Sequence, residues 1–99
     1  MKYHVATIFQ DYIQDEQKAI LYFEESLEIF ENLNNAKMVA EILNKLGDIY
    51  VSKQLFEQAM EYFERAKVFY TKIEDEYNKN IITEKINSLK DDDFNVSNL

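Results

Sequence analysis

Apolar residues recur every three or four positions along most of the chain, which is the spacing of one face of an α-helix. This pattern, with the polar interruptions that divide it, predicts five helices. They cover about Tyr3–Gln14, Asp15–Leu33, Asn35–Ser52, Leu55–Ile73 and Glu76–Lys90. The periodicity stops at the three consecutive aspartates 91–93. The pattern therefore predicts one helical domain, residues 1–90, followed by an acidic, flexible tail, residues 91–99.

The interruptions contain residues suited to ending and starting helices. Asn34 and Asn35 separate the second and third predicted helices, and asparagine both terminates helices and caps their N-termini. Asp75 can cap the fifth helix in the same way. The chain has no proline and one glycine, Gly47. Because either residue costs roughly 1 to 3 kcal/mol inside a helix, their near-absence predicts an all-α fold.

The helical pattern repeats itself. When the chain is compared with itself at an offset of 40 residues, apolar and aromatic positions coincide without a gap. The matched pairs include Ala19 with Ala59, Tyr22 with Tyr62, Phe23 with Phe63, Ile42 with Ile82, Lys45 with Lys85, and Leu46 with Ile86. A fixed period in this range is typical of stacked helical units.

A spaced set of small and large residues marks the centre of the chain. It comprises Leu43, Leu46, Gly47, Tyr50, Ala59, Phe63 and Ala66. This set resembles the signature of the tetratricopeptide repeat, with Leu43 in place of its tryptophan and Thr71 in place of its usual proline. The resemblance implies antiparallel helix hairpins stacked as an α-solenoid. The small residues Gly47 and Ala59 would allow the two helices of a hairpin to approach closely.

The 40-residue period is similar to that of a long-helix subclass, which includes bacterial Rap-type peptide-sensing regulators and animal adaptors of spindle orientation. The first unit matches less well, with Ala6 as the counterpart of Gly47. In the fifth helix the counterpart is Asn87, and a polar residue there suits a terminal capping helix. The resemblance thus implies two repeats followed by a C-terminal capping helix.

The resemblance also implies a function, which is binding a protein or peptide segment in a concave groove lined by the first helix of each pair. By position, the groove residues would be Tyr3, Thr7, Gln10 and Asp11 in the first unit, Glu41, Asn44, Lys45, Asp48, Val51 and Ser52 in the second, and Ile81, Glu84, Lys85 and Ser88 in the capping helix. In the long-helix subclass, an asparagine at the place of Asn44 holds the backbone of an extended ligand. The acidic residues among the candidates exclude the basic clamp with which some relatives hold a terminal carboxylate.

Composition narrows the classes of partner and reaction. The formal net charge is −8, so nucleic acid and anionic membrane surfaces are unexpected partners. There is no cysteine and one histidine, His4, so the sequence predicts no catalytic group, no metal site and no cofactor. No signal peptide or membrane span is apparent, which predicts a cytoplasmic protein.

Two repeats and a cap are fewer than the three or more units that such arrays usually need. The chain is therefore expected to be part of a longer array or to close its open end by self-association as a homo-oligomer. A small monomer with Met1 as its natural start is the remaining alternative. Two alternatives to a general interaction module stay open. One is the peptide-sensing regulatory fragment of a larger Rap-type regulator, and the other is a structural helical bundle that self-associates.

Overall fold

A computed structural model describes the backbone of residues 16–97 and the side chains of residues 16–90. The regular elements in this part of the chain are four helices. They are α1 (Glu16–Asn32), α2 (Ala36–Ser52), α3 (Phe56–Lys72) and α4 (Glu76–Ser97). Each helix packs against the next one along the chain, which confirms the predicted all-α fold of helical repeats. The first predicted helix, Tyr3–Gln14, lies outside the described residues.

Three-residue turns join the helices, and their geometry is the same in all three. The middle residue of each turn has a positive φ: 55° at Asn34, 61° at Gln54 and 60° at Glu74. In the first turn, the Asn35 N–H donates to the carbonyl of Phe30, five residues earlier, and the other two turns repeat this bond. This is the Schellman arrangement that commonly ends a helix, usually with glycine at the positive-φ position. The chain's one glycine is in none of these turns.

The predicted caps are confirmed at two of the helix starts. The Asn35 side chain accepts a hydrogen bond from the N–H of Met38 at 3.2 Å, at the start of α2. The Asp75 carboxylate accepts from the N–H of Asn78 at 3.1 Å, at the start of α4. Hydrogen bonds from Asn78 lower the pKa of the Asp75 carboxyl, as expected for a carboxylate that satisfies helix N–H groups. The start of α3, after Leu55, has no side-chain cap.

The fourth described helix is longer than the sequence pattern predicted. It continues to Ser97, beyond the expected end near Lys90. The three aspartates at 91–93 interrupt the apolar periodicity but include no glycine or proline, so the helical backbone hydrogen bonds continue through them. Apolar periodicity reports where a helix packs, and not how far its backbone extends. The assignment of residues 91–99 as a separate tail stays a prediction.

A single apolar core runs between the four helices. The largest fully buried side chains are aromatic or branched: Phe23, Phe63, Ile42, Leu43, Leu46, Ile82 and Val39. Ala19 and Ala59, which coincide at the 40-residue offset, are both completely buried. The repeat detected in the sequence is therefore a repeat of core positions.

Gly47 lies inside α2, where it faces the ring of Phe63 in α3. A Cβ atom placed on Gly47 would lie 2.6 Å from Phe63 Cδ1 and closer still to Phe63 Cε1. Real Cβ contacts are essentially never this short. Glycine is therefore required for close approach of the two helices, and the ring of Phe63 occupies the space that a side chain would take.

One buried polar atom breaks the symmetry between the repeats. Ser26 is 1% exposed, and its Oγ has no hydrogen-bond partner among the described residues. Its counterpart at the 40-residue offset is Ala66, which is completely buried and apolar. A buried hydroxyl without a partner retains the cost of its desolvation.

We expect Ser26→Ala to raise the free energy of unfolding by about 1 kcal/mol beyond the helix-propensity gain, because it removes an unpaired buried hydroxyl. Urea denaturation would measure the change. Ser88→Ala, at an exposed position inside α4, provides the propensity gain alone, about 0.5 kcal/mol. A Ser26→Ala variant no more stable than this control would show that the hydroxyl is satisfied in solution.

Candidate functional site

A cleft of about 390 Å³ lies between α2 and α4, above the ring of Phe63; we call it the α2–α4 cleft. Its lining is largely apolar at the base and polar at the rim. The lining residues are Asp48 and Val51 from α2, Phe63 from α3, and Ile81, Glu84, Lys85, Ser88 and Leu89 from α4. Clefts of this size with a few placed polar groups are typical of ligand-binding sites.

A polar bridge crosses from α4 to α2 beside this cleft. The Lys85 Nζ donates to Asn44 Oδ1 at 2.9 Å and to Asp48 Oδ1 at 2.9 Å, with Asp48 Oδ2 at 3.2 Å. The same ammonium lies 5.4 Å from the centroid of the Phe63 ring. Lys85 therefore joins an amide oxygen, a carboxylate and an aromatic ring, and we call these four residues the Lys85 bridge.

The structure brings together only part of the residue set predicted from sequence. Six of the predicted groove residues line the cleft: Asp48, Val51, Ile81, Glu84, Lys85 and Ser88. Asn44 borders it through its hydrogen bond to Lys85. Glu41, Lys45 and Ser52 do not line it. Tyr3, Thr7, Gln10 and Asp11 lie outside the described residues, and a binding role for any of the set stays a prediction.

Two residues of the cleft were missed by sequence reasoning. Phe63 and Leu89 are not among the predicted groove residues, and both are buried, at 1% and 7% exposure. Each nevertheless contributes to the wall of the cleft. The sequence could have indicated this position for Phe63, because the paired glycine, Gly47, leaves room for an aromatic ring to extend to the surface of the neighbouring helix. Leu89 gave no signal beyond its apolar periodicity.

A second cluster, of aromatic residues, connects α1, α2 and α3. The rings of Tyr50 and Tyr62 stack with centroids 5.2 Å apart and an interplanar angle of 21°. The Tyr62 hydroxyl donates to Glu24 Oε1 at 3.5 Å, and the Arg65 guanidinium lies 5.8 Å from the Tyr62 ring centroid. Burial, together with the neighbouring Tyr50 and Glu24, which disfavour a phenolate, raises the pKa of the Tyr62 phenol to about 12.

This raised pKa predicts a loss of stability at alkaline pH. In the unfolded chain a tyrosine ionises near pH 10, so between about pH 10 and 12 the unfolded state loses the Tyr62 proton while the folded state keeps it. The stabilisation is complete below pH 10 and falls as the pH rises towards 12. Urea denaturation at pH 9 and pH 11 should show a smaller decrease for Tyr62→Phe than for the wild type.

Tyr77→Phe is the matched control, because Tyr77 is 75% exposed on α4. It should keep the wild-type dependence on pH. An identical decrease for Tyr62→Phe and Tyr77→Phe would contradict the assignment of the alkaline effect to Tyr62.

Between residues 16 and 90, no three histidine, cysteine, aspartate or glutamate side chains are grouped so that they could hold a metal ion. Among the helices described, none combines the length and the apolar character that crossing a membrane requires. His4 lies outside the described residues.

Comparisons with known proteins show to which family the chain belongs. Neither the search of curated proteins nor the search of solved structures gave a significant match. A family model described as tetratricopeptide repeat matches residues 1–72, which include α1, α2 and α3; α4 follows the matched segment. With this match over most of its length, the chain belongs to the tetratricopeptide repeat family, whose repeats serve as protein–protein interaction modules.

Proposed function

We propose that this protein binds an extended segment of a partner protein in the α2–α4 cleft and that it has no catalytic activity of its own. The observation that carries the proposal is the cleft itself, with its apolar base of Phe63, Ile81 and Leu89 beneath a rim of charged and polar side chains. An apolar base can bury a partner side chain, and the rim can fix its orientation. A cytoplasmic location is part of the same proposal.

Helix spacing supports membership of the long-helix subclass similar to Rap-type regulators. Helices α2, α3 and α4 begin at residues 36, 56 and 76, so each helix and its turn occupy twenty residues. A pair then occupies forty residues, where the ordinary repeat has 34. The six extra residues lengthen the two helices by about 9 Å in total. Longer helices offer a ligand a wider surface, which suits binding of an extended segment.

The site that we propose includes the cleft and the residues beside it. Asn44 remains the candidate for holding the ligand backbone, because a side-chain amide offers both a donor and an acceptor. Lys45 and Glu41 are half-buried on the same helix and Ser52 is exposed at its end. The remaining candidates, Tyr3, Thr7 and Gln10, would extend the site towards the N-terminus.

Selection from a displayed library of random peptides would test the proposal directly. We expect the wild-type protein to retain peptides whose affinity falls at least about tenfold in Ser88→Trp, because the indole would fill the cleft. Asn87→Trp is the matched control, since Asn87 is also an exposed polar residue on α4 but lies outside the cleft lining and is not among the proposed site residues. Peptides with equal affinity for both variants, or a failure to select any, would overturn the proposed function.

Calorimetric titration of a selected peptide against Asn44→Ala would test the role of that residue. We expect weaker binding, since the variant removes both the amide donor and the amide acceptor. Unchanged affinity would remove Asn44 from the site and leave the cleft as the binding surface.

A further inference from the structure

The Lys85 bridge has the composition of a binding site for a cation. A carboxylate, Asp48, an amide oxygen, Asn44, and the face of an aromatic ring, Phe63, converge on one ammonium group. Each of these is a favourable partner for a positive charge, and together they act on the same nitrogen. In the folded chain, the cation that these three groups bind is the Nζ of Lys85, a residue of the protein itself.

The cation at this site is attached through a flexible, partly solvated side chain. The Lys85 side chain is 31% exposed, and that of Asp48 is 45% exposed. Ion pairs with this degree of exposure are weak because water competes for both partners. The ammonium can therefore leave its partners by rotation about the bonds of the lysine side chain, without any movement of the helices.

The bridge also borders the cleft in which we propose that a partner segment binds. Asp48, Phe63 and Lys85 all belong to the cleft lining. A second carboxylate, Glu84, stands on the same rim, so two acidic groups face the cleft against one basic group. When Lys85 turns away, the cleft presents two negative charges and an open aromatic face, and the chain as a whole carries −8. This charge pattern favours a basic ligand.

We infer that a lysine or arginine side chain of the partner segment displaces the Lys85 ammonium from Asn44, Asp48 and the Phe63 ring, so that Lys85 acts as an internal competitor of the ligand. This inference rests on the proposed function and names the chemistry of its ligand. The apparent affinity is the intrinsic affinity multiplied by the fraction of molecules in which the subsite is open, so a competitor that closes the subsite lowers it. Removing the Lys85 ammonium should therefore strengthen binding of a basic ligand, although it removes a charged residue from the site.

A small cation tests the subsite without a peptide. We would titrate n-butylammonium chloride, which mimics the end of a lysine side chain, into wild type, Lys85→Ala and Lys79→Ala at constant ionic strength. Amide chemical shifts near Asn44 and Phe63 would measure binding. Lys79 is the matched control, because it lies on the same helix and its side chain is 30% exposed, against 31% for Lys85.

We expect the dissociation constant for butylammonium to be at least about fivefold lower in Lys85→Ala than in wild type, because the competing ammonium is gone. Lys79→Ala should behave as wild type, and n-butanol, which is neutral, should bind none of the three. Adding Asp48→Asn to Lys85→Ala should abolish the gain. Equal responses in all three proteins, or an equal response to butanol, would overturn the inference. Lys85→Gln, which keeps part of the aliphatic stem, replaces Lys85→Ala if the latter does not fold.

Peptides selected on the wild-type protein separate this inference from the proposed function. We expect cleft-binding peptides to share a lysine or arginine, and replacement of that residue by norleucine to weaken binding at least about tenfold. Peptides that lose affinity in Ser88→Trp but lack any required basic residue would overturn the inference and leave the proposed function standing. Failure to select any peptide that binds the cleft would overturn both.

Discussion

Replacing Phe63 with alanine is expected to lower the free energy of unfolding by about 3 to 5 kcal/mol, the usual cost of deleting a buried aromatic side chain. Phe63 is 1% exposed and lies where α2, α3 and α4 meet. Its ring fills the space opposite Gly47 and lies beneath the Lys85 ammonium. Loss of the ring would leave a cavity beside α2 and α4. Urea denaturation followed by circular dichroism would measure the change.

Phe56→Ala is the matched control, because Phe56 is an aromatic residue on the same helix but is 43% exposed. It should cost less than half as much as Phe63→Ala. Since single domains are commonly stable by only about 5 to 15 kcal/mol, Phe63→Leu provides a milder change that should fold and still be measurably destabilised. Equal losses for Phe56→Ala and Phe63→Ala would contradict the central position that the structure gives to Phe63.

Gly47→Ala is expected to destabilise the protein, although alanine is the better helix former. The added Cβ would lie within 3 Å of three atoms of the Phe63 ring, and the ring is too deeply buried to move aside freely. Overpacking of this kind costs about 1 to 3 kcal/mol, while the gain in helix propensity is about 1 kcal/mol. We therefore expect a net loss of up to about 2 kcal/mol, measured in the same denaturation experiment.

A double-mutant cycle isolates the contact between the two residues. In a Phe63→Leu background the ring is absent, so Gly47→Ala should cost less than in the wild type or become stabilising. Residues in direct contact show such non-additivity, whereas independent residues do not. A cost of Gly47→Ala that is the same in both backgrounds would show that its origin is not the ring of Phe63.

Both predictions bear on function as well as stability. Phe63 supports the core on one side and contributes to the α2–α4 cleft and the Lys85 bridge on the other. A change that shifts its ring therefore alters the base of the cleft. Loss of binding in a Phe63 variant does not by itself identify the site, and for this reason the binding tests use Ser88, Asn87, Lys85 and Lys79.

Sequence reasoning placed the helix boundaries well where capping residues are present. Asn35 and Asp75 cap the helices that they were expected to cap. It failed at the end of α4, where loss of apolar periodicity was interpreted as the end of the helix. It also gave no indication that Gln54 and Glu74 adopt positive φ, because glycine or asparagine is the usual residue there.

Part of the candidate cleft was also predictable. Six lining residues were assigned to one side of the array from their positions in the repeat. The bridge from Lys85 to Asn44 and Asp48 was not predicted, although all three residues were named as candidates. The sequence placed the three residues on the same side of the array. It could not show that the Lys85 ammonium donates hydrogen bonds to both Asn44 and Asp48.

The sequence by itself determined the all-α fold, the 40-residue repeat and the need for a small residue at Gly47. These depend on helical periodicity, on capping residues and on comparison of equivalent positions, all of which are present in the order of the residues. Only the tertiary structure decided that the Phe63 ring meets Gly47, that the cleft opens above it, and that Lys85 reaches α2. Those contacts join residues far apart in the chain, and a shift of a helix by a fraction of a turn would separate them. Helix packing sets that register, and no local pattern in the sequence encodes it.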